Sequence, residues 1–347
     1  MSGKIETLVQ SNSSKSHIKS HLKHLITAFL SCPQPTHIFP SSSSESTTFK
    51  LTSPPSLTPP LSKHPISLTS LSGATKGIGR AIALGLATRG AAVLGTYSDP
   101  SSAQHFDTLS HTVSALYSNA FPSFPSTSST RISHTTHPTQ PKLVGIAANI
   151  LSPDCADLIA RTLETEFDGH VDILVNNAAI VVRHKIGEME LGDVEKSLLG
   201  NVQTPVLMVE TLVRKKLFRP NARIVNISSD RVREGRVGGS VFAATKTALE
   251  SLTRSWALEL GSAPGMQGTT VNAVSVGLTD SHGFRSLPDA TQQALKDERL
   301  PKVTVAEGGR MGECEDVADV VGWLVSEKAR WVSGSVVAAN GGAARVG

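Results

Sequence analysis

"ISLTSLSGATKGIGRAIALGLATRG", residues 66–90, sets three patterns end to end. Ile66 to Ser72 alternates apolar and polar residues, as a short half-buried strand does. Gly73, Gly77 and Gly79 follow within "SGATKGIGR", and an Ile/Ala/Leu helix then runs to a stop at Gly90. Such glycines permit a tight turn, close approach of a phosphate group to the backbone, and close packing of helix on strand. The helix start adds free N–H groups and the positive end of a dipole. A glycine triplet by itself also fits an ordinary turn. The strand before it and the helix after it favour a phosphate cradle involving Ser72, Gly73, Thr75, Lys76, Gly77, Ile78 and Gly79.

The same alternation continues outward. Short apolar runs occur at 91–97 ("AAVLGTY"), 142–150 ("KLVGIAANI"), 171–179 ("VDILVNNAA"), 222–229 ("ARIVNISS"), 269–276 ("TTVNAVSV") and 334–340 ("GSVVAAN"). Helical patterns separate them at 106–118, 155–167, 194–217, 242–261 and 315–327. Strands alternating with helices of ten or more residues pair in parallel through right-handed crossovers. The pattern predicts an α/β fold, a Rossmann-like doubly wound parallel sheet of about seven strands, in a single domain over residues 66–347.

Residues 1–65 differ in composition. Segments such as "FPSSSSESTTF" and "TSPPSLTPPLS" bury too little apolar surface to offset ordering entropy, and read as a disordered Ser/Pro-rich leader. Ile18, Leu22, Leu25, Ile26 and Phe29 space as one face of a short helix, a pattern shared by targeting and membrane-surface segments. The leader has no arginine before Arg80, which argues against an organellar signal. A dispensable tail, or a start placed too early, and a cytoplasmic location are the expectation. A second low-complexity stretch near 119–141 reads as a surface insertion.

Net charge is +4, aromatics are 4% of residues, and no Lys/Arg run is interleaved with aromatics, so no nucleic-acid partner is expected. Cys32, Cys155 and Cys314 lie too far apart for a disulfide framework or a zinc set, and the twelve histidines show no metal-ligand spacing. No metal site is expected. No apolar run reaches the roughly 18–20 residues of a membrane span.

The Gly-x-x-x-Gly-x-Gly spacing resembles the nucleotide-binding motif of the short-chain dehydrogenase/reductase family, and five further stretches resemble that family in order. "NNAA" (176–179) is similar to its Asn-Asn-Ala-Gly. Asn201 in "GNVQTP" matches its active-site asparagine, and Ser229 in "IVNISS" its catalytic serine. Thirteen residues on, "SVFAATKTALE" places Phe242 at the tyrosine position and Lys246 four residues later, at the lysine position. The stretch 310–342 is similar to the family's C-terminal signature.

The resemblance implies a nicotinamide cofactor, with Asn149 and Ile150 at the end of the third strand against adenine. It places Asn177 and Ala178 along the ribose and Gly277 and Thr279 in the loop meeting the nicotinamide amide, where Val276 replaces the usual proline. Tyr97 stands where an acidic residue would bind a ribose 2′-hydroxyl, and Lys76 and Ser98 suit a 2′-phosphate. The expected cofactor is NADP(H). Asp99 counts against that choice, and Lys76 has the alternative of a solvated loop lysine.

In the family a ketone and a secondary alcohol are interconverted. The tyrosine supplies the proton, the lysine lowers its pKa and holds ribose, the serine bonds the carbonyl, and the asparagine steadies a water. Ser229, Lys246 and Asn201 are present here, whereas Phe242 has no hydroxyl. Water near Lys246, Asp230 or Ser240 is a candidate substitute donor, and Lys246 has the alternative of binding ribose only. Two functions follow: an NADP(H)-dependent oxidoreductase on a small carbonyl or alcohol, with polyketide-type substrates by analogy, or a cofactor-binding pseudoenzyme acting as sensor or partner subunit. Arg183 and His184 are candidates for the substrate mouth, and Asp280 to Arg310 for a substrate loop. Leu249, Leu252 and Trp256 read as core or subunit interface, with a homodimer or homotetramer implied by the resemblance.

Overall fold

The computed structural model describes residues 67–120 and 139–346. The leader, and the insertion apart from its two ends, lie outside the described residues. The chain divides into units Met1–Pro54 and Pro55–Gly347, and the architecture below is that of the second.

Seven parallel strands form one sheet in the order β3-β2-β1-β4-β5-β6-β7. They are β1 (Leu68–Leu71), β2 (Ala92–Tyr97), β3 (Leu143–Ala147), β4 (Val171–Asn176), β5 (Phe218–Ser229), β6 (Thr270–Val276) and β7 (Val336–Ala339). The helices between them are α1 (Gly77–Ala87), α2 (Ala103–Ala120), α3 (Cys155–Glu166), α4 (Leu191–Leu198), α5 (Thr204–Arg214), α6 (Ser240–Leu260), α7 (His282–Arg285), α8 (Asp289–Arg299) and α9 (Cys314–Leu324). Strands such as β6 are buried along their whole length, as apolar runs covered on both faces must be. Two cores result. One packs Ile82, Leu86, Phe106, Leu109, Val317 and Val321 against one face of the sheet. The other packs Ile159, Leu163, Met208, Leu212 and Trp256 against the opposite face.

Three departures from the sequence reading bear on the site. The pattern over 194–217 is not one helix, because a π-helical turn, Leu199–Gln203, separates α4 from α5. The third strand stops at Ala147, so Asn149 and Ile150 lie in the turn beyond it. Asp280 to Arg310 is not a loop, since it carries α7, α8 and a 3-10 turn, Leu300–Lys302. Leu249 and Trp256 belong to the core, at 1% and 7% exposure. Among the described residues no helix is long and apolar enough to cross a membrane.

The two glycines Gly95 and Gly145 are direct neighbours in the β2–β3 register. A Cβ on Gly95 would lie 2.3 Å from the Phe106 ring and 2.7 Å from the Ala74 Cβ, and one on Gly145 would lie 2.5 Å from the same ring. Phe106 is buried and has no room to yield. Gly95→Val is therefore expected to destabilise the fold by ~1–3 kcal/mol, the usual cost of overpacking a core. Thermal unfolding measures it, and an unchanged Tm would show that the α2–sheet contact yields after all.

Candidate functional site

Strand order reverses between β1 and β4, and the crevice beyond their C-terminal ends is where such sheets take ligands. Side-chain bonds tie the two strand ends together. The Ser72 Oγ accepts from the N–H groups of Asn177 (2.9 Å) and Ala178 (3.0 Å). Asn177 Nδ2 donates to the carbonyls of Ser72 (2.9 Å) and Gly73 (3.3 Å). Gly73 and Gly77 adopt φ of +71° and +53°, where side chains are strained. At Gly79 a Cβ would fall 2.0 Å from the Gly73 carbonyl oxygen. Thr75 is buried, Ile78 half-buried and Lys76 exposed.

The first turn of α1 holds no acidic residue, and no side chain caps it. Its N–H groups and positive dipole end thus face the crevice uncompensated. A backbone stripped of Cβ atoms beside an open helix start fits the pyrophosphate of a dinucleotide.

On the far side of the turn, Tyr97 ends β2 half-buried, and burial together with Asp107 raises its phenol pKa. It stays neutral and keeps its hydroxyl as a donor. Ser98 is exposed. Asp99 accepts from the Ser101 N–H at 2.8 Å, and that bonding holds its carboxyl below the ordinary value. Asn149 closes its own turn by accepting from the Leu151 N–H at 2.9 Å, and the Ile150 carbonyl accepts from Thr204 Oγ1 at 2.6 Å. Beyond β6, the Gly277 N–H donates to the Ala339 carbonyl at 3.1 Å, and a Cβ there would meet Asn340 at 2.8 Å. Thr279 is buried, and its Oγ1 donates to the Gly277 carbonyl at 3.1 Å. Those bonds brace the loop that Val276 leaves without a proline.

Ser229, Asn201, Phe242 and Lys246 converge from three elements. Ser229 ends β5, and its Oγ accepts from the Arg231 N–H at 3.3 Å. Lys246 on α6 is 3% exposed, its Nζ donates to the Ile227 carbonyl at 2.7 Å, and burial lowers its pKa to about 8. The Phe242 ring, one helical turn earlier, has its centre 5.8 Å from that Nζ. Asn201 lies in the π turn, a distortion that recurs at functional positions. Its Oδ1 accepts from the Ile180 N–H at 2.7 Å, and its Nδ2 donates to the Ile180 carbonyl at 2.8 Å and to Thr245 Oγ1 at 3.1 Å. A cavity of about 20 Å³ touches Ser72, Asn176, Asn201 and Lys246 among apolar neighbours. It has room for one water and polar groups to bind it.

Other candidates are placed elsewhere. Asp230 is buried against Arg299, whose guanidinium also pairs with Glu234, so its carboxylate is engaged in an ion pair. Ser240 opens α6 and is exposed. Arg183 and His184 are exposed, and His184 Nε2 lies 3.2 Å from Asp193. Burial raises the Cys155 and Cys314 thiols to about 11. Among the described residues no group of three or more His, Cys, Asp or Glu side chains stands together for a metal ion.

The sequence reading missed the residues that seat α6. Glu250 accepts from Ser228 Oγ at 2.7 Å and from Arg233 Nη1 at 2.6 Å, and Thr253 Oγ1 accepts from Asn226 Nδ2 at 2.9 Å. Lys246, Glu250 and Thr253 are spaced as one helix face, and a polar face on a buried helix is a visible signal. Arg299 gave none.

Residues 125–344 match the family model described as Enoyl-(Acyl carrier protein) reductase. The short-chain dehydrogenase/reductase FrzI of a Cladobotryum species is 31% identical, over 78% of this chain and 93% of its own length. The 3-oxoacyl-[acyl-carrier-protein] reductase FabG of Pseudomonas aeruginosa is also 31% identical, over 78% of this chain and 95% of its own. Among solved structures, the angucycline C-6 ketoreductase LanV, crystallised with bound NADP, superposes with a TM-score of 0.63. It is 25% identical and covers 80% of this chain and 95% of its own.

Burial of Lys246 makes a prediction for stability. Its pKa falls from 10.5 to about 8, so between those values the folded state binds fewer protons than the unfolded one. Stability then rises with pH across that window, by ~3 kcal/mol for this side chain. Urea unfolding of wild type against Lys246→Met at pH 7 and pH 10.5 reads it directly. The wild type should gain on the variant as pH rises, and a constant difference would mean that Nζ is solvated.

Proposed function

This chain belongs to the short-chain dehydrogenase/reductase family, and from that premise we propose that it is an NADP(H)-dependent oxidoreductase interconverting a ketone and a secondary alcohol. The observation that supports the reading is the seating of buried Lys246 on the Ile227 carbonyl, two residues before Ser229 on the same strand, beside a dinucleotide-shaped turn. LanV and FabG, by their names, reduce a ketone and a 3-oxoacyl group. Ketones of polyketide type, and 3-oxoacyl groups, are the first substrates to try. An assembly of two or four copies belongs to the same reading, with Leu191, Leu198 and Leu207 exposed on α4 and α5.

The bound nicotinamide supplies the hydride. The N–H groups at the start of α1 hold pyrophosphate, with Ser72 and Asn177 keeping the turn in shape. The Lys76 side chain makes no ion pair or hydrogen bond among the described residues, which leaves its ammonium for a 2′-phosphate. Asp99 is occupied by Ser101, Tyr97 is neutral, and Ser98 adds a donor. Asn149, Ile150, Ala178, Gly277 and Thr279 line the remaining cofactor contacts.

At the reacting carbonyl, the Ser229 hydroxyl donates to the oxygen and polarises it. Phe242 fills the tyrosine's place without its acid. Lys246 uses one of its three N–H groups on Ile227, and an ammonium of pKa about 8 is a competent acid near neutral pH. The proton passes from Lys246 Nζ to the substrate oxygen through a bridging water. Reduction should therefore fall as pH rises through about 8.

Three measurements test this reading. Fluorescence titration should give tighter binding of NADPH than of NADH, and Lys76→Ala should weaken NADPH about tenfold or more, the worth of a charge-assisted hydrogen bond. Equal affinities would refute the cofactor choice. On a panel of ethyl acetoacetate, acetoacetyl thioester and aromatic ketones, wild type should turn over slowly and lose activity above pH 8. Lys246→Ala should be inactive. Phe242→Tyr should reduce the same ketones ~10²–10⁴-fold faster, the span of general acid catalysis. If the tyrosine variant alone turns over, the natural chain is the cofactor-binding pseudoenzyme that Phe242 otherwise favours.

A further inference from the structure

Arg299 is among the largest fully buried side chains, at 1% exposure, and Asp230 beside it is 3% exposed. Burying both charges is costly even when they pair, and an apolar pair of similar volume often serves stability as well. The expense is repaid in geometry, because the pair ties the turn after β5 to the end of α8. Asp230 directly follows Ser229 and opens the 3-10 turn Asp230–Val232, which the Ser229 hydroxyl caps. Arg299 closes α8, and its second nitrogen pairs with Glu234, four residues beyond Asp230.

Flanking charges repeat the link. Glu298 meets Arg231 at 3.2 Å and Arg236 at 3.5 Å, and Lys302 meets Glu234 at 2.9 Å. Each of these pairs joins α8, or the turn after it, to residues 230–236. At its other end the same segment stands over the glycine turn. Ser281 and His282 lie 3.5 Å from where a Cβ of Gly77 would be, and Asp280 is bonded to Arg285 there at 2.8 Å. The segment 280–302 therefore spans the site from the phosphate cradle to Ser229.

We propose that Arg299 is a positioning residue that holds Ser229 through Asp230 and, in the same contact, fastens the 280–302 segment across the site. The proposal rests on the reading of Ser229 as the group that polarises the carbonyl. Seating of the segment and alignment of the serine then become one event. A substrate bound beneath the segment meets Ser229 only when the clasp is closed.

The clasp itself is tested on the protein alone, by amide hydrogen exchange followed by mass spectrometry. Arg299→Met should speed exchange on the order of tenfold in both 230–236 and 280–302, with β4 and β6 still protected, as for local opening. Because that variant strands a buried carboxylate, the pair Asp230→Asn with Arg299→Met removes both charges and should show the same two-segment pattern. Faster exchange in one segment only, or in neither, would overturn the proposal. Turnover of ethyl acetoacetate with NADPH supplies the second arm. Arg299→Met should lower kcat and raise KM together, and Arg299→Lys, which keeps the charge, should restore part of both. A change in KM alone would refute the link to Ser229. If wild type reduces no carbonyl, the proposed activity fails, while the exchange result still decides the clasp.

Discussion

The site depends on how one helix is fastened to one strand. Helix α6 lies on β5 with a polar face inward: Lys246 Nζ bonds the Ile227 carbonyl, Glu250 accepts from Ser228, and Thr253 accepts from Asn226. Apolar contacts alone allow a helix to slide or rotate on a sheet at small cost, whereas buried polar groups left unpaired cost ~1–3 kcal/mol each. Three such bonds on successive turns therefore fix both rotation and register. With α6 fixed, Lys246 is held beneath the crevice and Phe242 one turn above it. Asn226 carries the constraint further, since it also accepts from Asn176 Nδ2 at 2.8 Å, next to the residues that lace β4 to the glycine turn.

The π turn answers a related problem. A continuous helix across 194–217 would carry Asn201 on a regular α face. The extra residue in the turn brings its side chain to the Ile180 backbone and to Thr245. Thr245 in turn donates to the Phe242 carbonyl at 2.8 Å. The strand end, the distorted helix and the first turn of α6 are thereby connected through one buried amide.

Much of the fold was legible because it rests on local patterns. Seven apolar runs became seven strands, and the glycine spacing placed the β1–α1 turn, since both follow from periodicity and from φ values that favour glycine. The π turn was not legible, because Leu198, Leu199, Val202 and Val206 keep a helical rhythm through it and nothing in the residue types marks the added residue. Helices α7 and α8 were hidden for another reason: "DATQQALKDER" has few apolar residues, so it reads as a polar loop until Arg299 is seen to be buried. Ser229, Phe242 and Lys246 were legible as a set by their intervals, but the seat of Lys246 on Ile227 is a tertiary fact that spacing does not hold.

Phe242 gains meaning from that seat. In a site with a tyrosine, a lysine serves by its charge and need not give up its own proton. Here the ring above Lys246 is apolar, and Phe242 presents a face on which only a weak cation–π contact is available at 5.8 Å. The buried ammonium keeps one neutral acceptor, the Ile227 carbonyl, and loses most of its water, which is why burial brings its pKa to about 8. On the proposed reading the ring at 242 removes one acid, and burial of the lysine one turn on supplies another.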